Sequence, residues 1–170
     1  YNWIPLFHIS DSYSLAYKWL NFLKEKDIAE TLGFVIMPNH VHLIIELLSH
    51  EESNLNKIIS NGKRFMAYEI IKRLKAINST EILSKLRNSR SVNDISKGQL
   101  HKVFEASFDA KPIFSDSFYQ QKLDYIHHNP VSGKWNLCTD FVNYPHSSAA
   151  FYELGIPHEH LQIKDFREAL

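Results

Sequence analysis

VIMPNHVHLII, residues 35–45, decides the fold, because it sets two histidines one residue apart inside an apolar run with the short period of a strand. Side chains of a strand alternate between faces, so His40 and His42 project together while Val41, Leu43, Ile45 and Leu47 form the opposite, uniformly apolar face. The core side of this strand is thus supplied without the histidines. Pro38-Asn39 interrupts the run, which predicts one strand over residues 34–37 and a second over 40–48. Working outward, residues 13–26 predict a helix capped by Asp11 or Ser12, with Leu15, Trp19, Phe22 and Leu23 on one stripe. Residues 54–77 keep a helical period, with a kink or break expected at Asn61-Gly62, and 81–90 form a second, basic helical piece. Residues 1–9 read as the end of an edge strand limited by Pro5, residues 89–98 as polar loop, and 103–113 as a further strand. Asp116 or Ser117 caps a helix running through His128 and stopped by Pro130, and 147–154 is a short helix. This order predicts an α+β fold, a central antiparallel sheet with helices laid over it.

The chain has 170 residues and is 44% apolar, enough for one well-filled core and too short for two ordinary domains, so residues 1–170 are expected to form a single domain. No uncharged apolar run approaches the roughly 20 residues that span a bilayer, and no secretory leader is visible, which predicts a protein without a membrane partner. A single cysteine, Cys138, excludes an internal disulfide and fits a reducing, cytoplasmic compartment. The first residue is Tyr1 and not methionine, which is expected of a chain whose true beginning is hidden. Net charge is zero, yet residues 57–102 carry eleven Lys or Arg against Glu69, Glu81 and Asp94. That local excess of eight makes a basic face on a neutral molecule, suited to a phosphate chain or simply to solvating two helices.

Two neutral imidazoles on one strand face can grip a divalent ion and leave positions open for a substrate oxygen; alternatively they are polar residues on a wet strand face. In the helix before Pro130, Tyr119, Leu123 and Ile126 form an apolar stripe that docks on a sheet, while Tyr125 lies about 100° from Ile126 and one turn before Asn129. The Asn129 amide oxygen completes a mixed nitrogen and oxygen set with His40 and His42, and His127 or His128 are substitutes for it. Such a set suits Mg²⁺ or Mn²⁺ in phosphate chemistry. A phenol with an ordinary pKa near ~10 is a poor nucleophile unless a cation stabilises the charge that develops on the phosphate.

These residues resemble the single-tyrosine HUH transposases, and within them the REP-associated tyrosine transposases and their insertion-sequence relatives. The resemblance rests on MPNHVHLII at 37–45, NGKRFMAYEI at 61–70, QQKLDYIHHNPVSGKW at 120–135 and YPHSSAAFY at 144–152, and spans residues 34–152. It implies a ferredoxin-like, RRM-like HUH nuclease fold and an enzyme that cuts and rejoins single-stranded DNA beside a hairpin through a 5′-phosphotyrosine link. By position His40 and His42 match the metal-binding pair, Asn129 the polar third ligand and Tyr125 the nucleophile, with Mg²⁺ or Mn²⁺ as cofactor. Lys57, Lys63, Arg64, Lys72 and Arg73 on the basic helices would hold the DNA, with Phe65 and Tyr68 as stacking or core groups. The resemblance also implies a nucleoid-associated, prokaryotic setting, and a homodimer, since some members exchange the tyrosine helix between protomers. The chain departs from the pattern at Phe104-Glu105, where many relatives have Trp-Gln, at Asp109 in place of a frequent His, and at His146 in place of an aromatic. Two other classes fit the same residues: a non-catalytic hairpin or single-strand-binding module, and a metal-dependent phosphodiesterase that uses water.

Overall fold

Two strands, β1 (Ala29–Ile36) and β2 (Val41–Leu47), pair antiparallel across a turn at residues 37–40 in this computed structural model, which describes residues 4–48, 55–106, 108–133 and 135–168. An irregularity between Thr31 and Gly33 inserts one extra residue into β1 and so reverses the parity of its side chains. Ala29, Phe34 and Ile36 consequently join one apolar layer, and Leu32, Val35 and Met37 the other. The outer edge of β1 is covered: Ile36 N–H donates to the His146 carbonyl at 2.8 Å and Ser148 N–H to the Phe34 carbonyl at 3.0 Å.

Helices take both faces of this hairpin, so the fold is α+β. On one face lie α1 (Leu6–Ile9), α2 (Tyr13–Glu25) and α3 (Leu55–Ala76), followed by α4 (Thr80–Asn88) and the short α5 (Val92–Ser96). Leu15, Trp19, Leu20, Ile58, Met66, Ile70 and Leu74 fill that layer against Phe34 and Ile36, with Val41, Leu43, Ile45 and Leu47 packed on it. On the other face α6 (Asp116–His127) lays Tyr119, Leu123 and Ile126 over Leu32, Val35, Met37 and Ile44. A last helix, α7 (Ala149–Leu154), follows the segment that pairs with β1.

Several expectations need correction. The edge strand expected over residues 1–9 is replaced, where described, by α1: Pro5 occupies its N-cap position, and the Ser10 hydroxyl donates to the Leu6 carbonyl at 2.6 Å. Residues 1–3 of that expected strand lie outside the described residues. Phe22 is 48% exposed, because the buried arc of α2 is centred between Trp19 and Leu20 and leaves Phe22 at its border. The loop expected at 89–98 contains α5, started by a capping box in which Asp94 N–H donates to Ser91 Oγ at 3.1 Å and Ser91 N–H to Asp94 Oδ2 at 2.8 Å. The cap of α6 is Ser115, one residue before the nearer expected position.

The strand expected at 103–113 does not form among the described residues. Among those residues β2 pairs with β1 alone, and its other edge opens on a cavity of about 1140 Å³ whose wall includes Lys102, Val103, Phe104 and Ile113. Without a partner at ladder distance a strand-prone sequence stays irregular. Lys102 N–H donates instead to the Leu86 carbonyl at 2.9 Å.

Nor does Asn61-Gly62 break α3, which runs through it. A Cβ at Gly62 would stand 2.4 Å from Cε2 of the Trp19 indole, so the glycine allows α2 and α3 to approach. Gly62→Ala should therefore destabilise the protein by about 1–3 kcal/mol through overpacking, despite alanine's better helix propensity. Urea unfolding measures it, and a midpoint equal to or above the wild type would refute the tight contact.

Candidate metal and nucleophile site

His40 and His42 flank Val41 at the start of β2, and their rings meet edge to face with centroids 4.9 Å apart. The turn that delivers them is tight: Met37 N–H donates to the His40 carbonyl at 2.8 Å, and the Pro38 carbonyl accepts from Phe7 N–H at 2.9 Å. Both imidazoles are held below their ordinary pKa. Burial pushes His40 down to about 4, with the neighbouring His42 contributing, and burial also lowers His42. Both rings are therefore neutral at pH 7 and offer lone pairs. The Asn39 amide oxygen lies 2.6 Å from His40 Nδ1. Because that oxygen can only accept, the ring proton sits on Nδ1 and the lone pair on Nε2, the arrangement a metal-binding histidine needs.

The third group arrives from the other layer. Docking of Leu123 and Ile126 turns Tyr125 toward the histidines, and its ring stands edge to face with His42 at 5.7 Å between centroids. Gly33 permits this close docking, since a Cβ there would lie 2.7 Å from Leu123 Cδ1. Tyr125 is nevertheless 59% exposed, so a phenol oxygen is presented to solvent next to two neutral imidazoles. One turn on, the Asn129 Nδ2 donates to the Tyr125 carbonyl at 2.8 Å and to the Ile126 carbonyl at 3.4 Å. This cap closes the end of α6 and leaves Oδ1 as the amide's acceptor and potential ligand atom.

The two alternative third ligands face elsewhere. His127 is 2% exposed and its Nε2 lies 2.7 Å from Ser148 Oγ, which also accepts from Phe34 N–H at 2.9 Å. It staples the end of α6 to β1. That positioning role was missed from sequence, although His127 lies on the flank of the Tyr119, Leu123, Ile126 stripe. His128 shares Nδ1 with the Asp124 carbonyl at 2.9 Å and rests on Phe141, ring centroids 4.1 Å apart. Among the described residues no three His, Cys, Asp or Glu side chains converge as a metal site. The Asn129 amide, one turn after Tyr125 at the end of α6, is a ligand type outside that set. Imidazole and amide are ligand types that suit a cation with open positions for phosphate oxygens.

The five basic candidates separate. Lys57, Arg64 and Lys72 are exposed on α3. Lys63 turns toward the loop, donating to the Glu105 carbonyl at 2.8 Å and lying 5.5 Å from the centre of the Phe108 ring. Arg73 points to the start of α2, where it donates to the Asp11 carbonyl and, at 3.2 Å, to Ser14 Oγ. No protein-family model matches the sequence, and neither a curated protein nor a solved structure matches it. No helix among the described residues is long and apolar enough to cross a membrane.

Proposed function

We propose that this protein is a metal-dependent strand transferase acting on single-stranded DNA beside hairpins, in the manner of the HUH transposases that its motifs resemble. The observation that carries the reading is the approach of Tyr125 to His42, 5.7 Å between ring centres, from opposite layers of the fold. Residues 83 positions apart in the chain are brought together, while the phenol keeps 59% of its surface exposed. A buried structural tyrosine such as Tyr17, 4% exposed, would not keep its phenol in solvent. The antiparallel hairpin of β1 and β2 with helices packed on it is compatible with the α+β class of that family.

His40, His42 and Asn129 would hold Mg²⁺ or Mn²⁺, which when bound withdraws negative charge from a phosphate oxygen. Tyr125 Oη then attacks phosphorus, loses its proton to solvent, and forms a 5′-phosphotyrosine ester as the P–O3′ bond breaks. The departing 3′ oxygen takes up a proton and leaves as a hydroxyl. One phosphodiester is exchanged for another, so a 3′-hydroxyl can reverse the step without ATP. His127 and Asn129 tie down the end of α6 through Ser148 and the Tyr125 carbonyl, which would help keep the nucleophile in position. Tyr125 lies beside the histidines of its own chain, so cleavage in cis is the arrangement we favour, and a homodimer is not required for it.

The test is incubation of the protein with end-labelled, hairpin-flanked single strands and Mn²⁺, followed by a denaturing gel. A protein-linked label is the expected result. Cleaved strands with no protein attached would assign the water-using phosphodiesterase, and binding without cleavage would assign the non-catalytic module.

A further inference from the structure

The bulge in β1 supplies an anchor for the helix that carries Tyr125. Thr31 pairs with Ile45 and Gly33 with Ile44, so Leu32 is the residue left without a partner in the register. Its carbonyl accepts from the Tyr152 hydroxyl at 2.6 Å. A hydroxyl has one proton to give, and the Lys164 carbonyl, 3.4 Å away, is the more distant acceptor. The Tyr119 hydroxyl lies 3.3 Å from Tyr152 Oη, and with the Tyr152 proton committed to Leu32 it is Tyr119 that donates. Burial raises the Tyr119 phenol above its ordinary pKa and the bond to Tyr152 adds to the rise, whereas burial raises Tyr152 and the same bond lowers it. These are the opposite signs expected of donor and acceptor.

The three groups form one relay, from α6 through α7 to the bulge. Tyr119 is 3% exposed, and the Phe166 ring stacks on it with centroids 4.0 Å apart. Lys164 N–H donates to the Thr31 carbonyl at 2.9 Å, which seats the segment carrying Phe166 against the residue before the bulge. Tyr152 stands on α7, whose start is fixed to β1 where Ser148 N–H meets the Phe34 carbonyl. Tyr119 precedes Tyr125 by about 9 Å of helix. His127, beyond Tyr125, ties the far end of α6 to Ser148. Between them Leu123 and Ile126 make apolar contacts, which have no preferred direction. A helix tied at one end can swing about it, and a second directional bond near the other end fixes its axis.

We infer that Tyr152 is a positioning residue for Tyr125: its hydroxyl, held between the Leu32 carbonyl and the Tyr119 hydroxyl, fixes the N-terminal half of α6 and so sets the approach of the Tyr125 phenol to His42. Chemistry at Tyr125 rests on the strand-transferase reading, but its placement beside His42 is a property of the fold and is measured without DNA.

The experiment is isotope-edited nuclear Overhauser spectroscopy of the protein in EDTA, reading cross-peaks between the Tyr125 and His42 rings, with adduct kinetics in Mn²⁺ on hairpin-flanked single strands as the second readout. Wild-type protein should show the cross-peaks, since the ring centroids stand 5.7 Å apart. Tyr152→Phe deletes the shared oxygen and should lose them, and its adduct kcat should fall about 10- to 100-fold with the KM for DNA within about twofold of wild type. Tyr119→Phe keeps the bond from Tyr152 to Leu32 and should lose less. Adding it to Tyr152→Phe should have no further effect, because the two hydroxyls act as one unit. Leu74→Ala opens a cavity in the opposite layer, lowering stability without touching the relay, and should keep both the cross-peaks and kcat. Cross-peaks absent from the wild type or retained in Tyr152→Phe overturn the inference, as does their loss in Leu74→Ala or an added loss in the double variant. Should Tyr152→Phe not fold, Tyr119→Phe carries the same test, with weakened cross-peaks expected and wild-type intensity overturning the inference. A wild type that forms no adduct would remove the strand-transferase reading, and the cross-peaks would still decide the role of Tyr152.

Discussion

Tyr125→Phe is expected to reduce the covalent DNA adduct to background, a loss of about 10⁴-fold or more, while leaving Mn²⁺ affinity and DNA affinity within about twofold of wild type. The substitution deletes one atom, the oxygen that would bond to phosphorus in the proposed reaction. The Tyr125 ring is 59% exposed, so a phenylalanine there leaves the docking of Leu123 and Ile126 intact. His42→Ala should give the complementary pattern. It removes one of two imidazoles, and the loss in Mn²⁺ affinity should exceed about 100-fold, the range already reached when only an outer partner of a metal ligand is removed. Adduct formation should then fall in parallel with occupancy and recover in part at raised Mn²⁺. Isothermal titration with Mn²⁺ and the denaturing gel separate the two effects. An adduct that persists in Tyr125→Phe would assign the nucleophile to another residue; unchanged Mn²⁺ binding in His42→Ala would remove the histidine pair from the metal site.

The parts of this site that were legible in sequence are those set by local periodicity. Alternation along β2 places His40 and His42 together, and the 3.6-residue period of α6 sends Tyr125 away from its apolar stripe; neither inference needs a distant residue. The Ser91-x-x-Asp94 capping box was equally local, and its helix could have been read from that spacing. What failed was non-local. Residues 103–113 have the composition of a strand, but a strand exists only against a partner edge, and nothing within the segment reveals that β2 offers a cavity there. His127 looked like a spare ligand because its buried partner, Ser148, is 21 residues away. Lys63 and Arg73 looked equivalent to Lys57, yet their angles on α3 turn them about 120° and 160° from it, toward the loop and the start of α2. Charge counted along the sequence overstated the free cations of that helix, and helical phase recovers those that face solvent.

Stability should fall steeply with acid in a window that belongs to the histidines. Burial pushes His127 down to about 4, with the adjacent His128 adding to the effect. Burial also pushes His146 down to about 4, with His158 and His160 contributing, while its Nδ1 lies 2.9 Å from the Tyr17 hydroxyl and its ring stacks on Tyr13 at 3.8 Å. In the unfolded chain each titrates near 6.5. Between those values the unfolded state binds more protons than the folded one, so the full contribution is present above about pH 6.5 and is lost progressively toward pH 4. At pH 5 a buried histidine with this difference costs about 2 kcal/mol, and two of them consume a large part of a typical domain's stability. Asp165, held low by Arg167, acts below this window, because its ordinary value of 3.8 already lies beneath it. Urea unfolding between pH 7.5 and 5 should show a falling midpoint at constant slope. His127→Gln, which keeps a polar partner for Ser148 but cannot titrate, should start lower at pH 7.5 and fall less across the range. A midpoint that holds constant from pH 7.5 to 5 would mean that these rings accept protons in place, and that the His127 staple is looser than 2.7 Å to Ser148 requires.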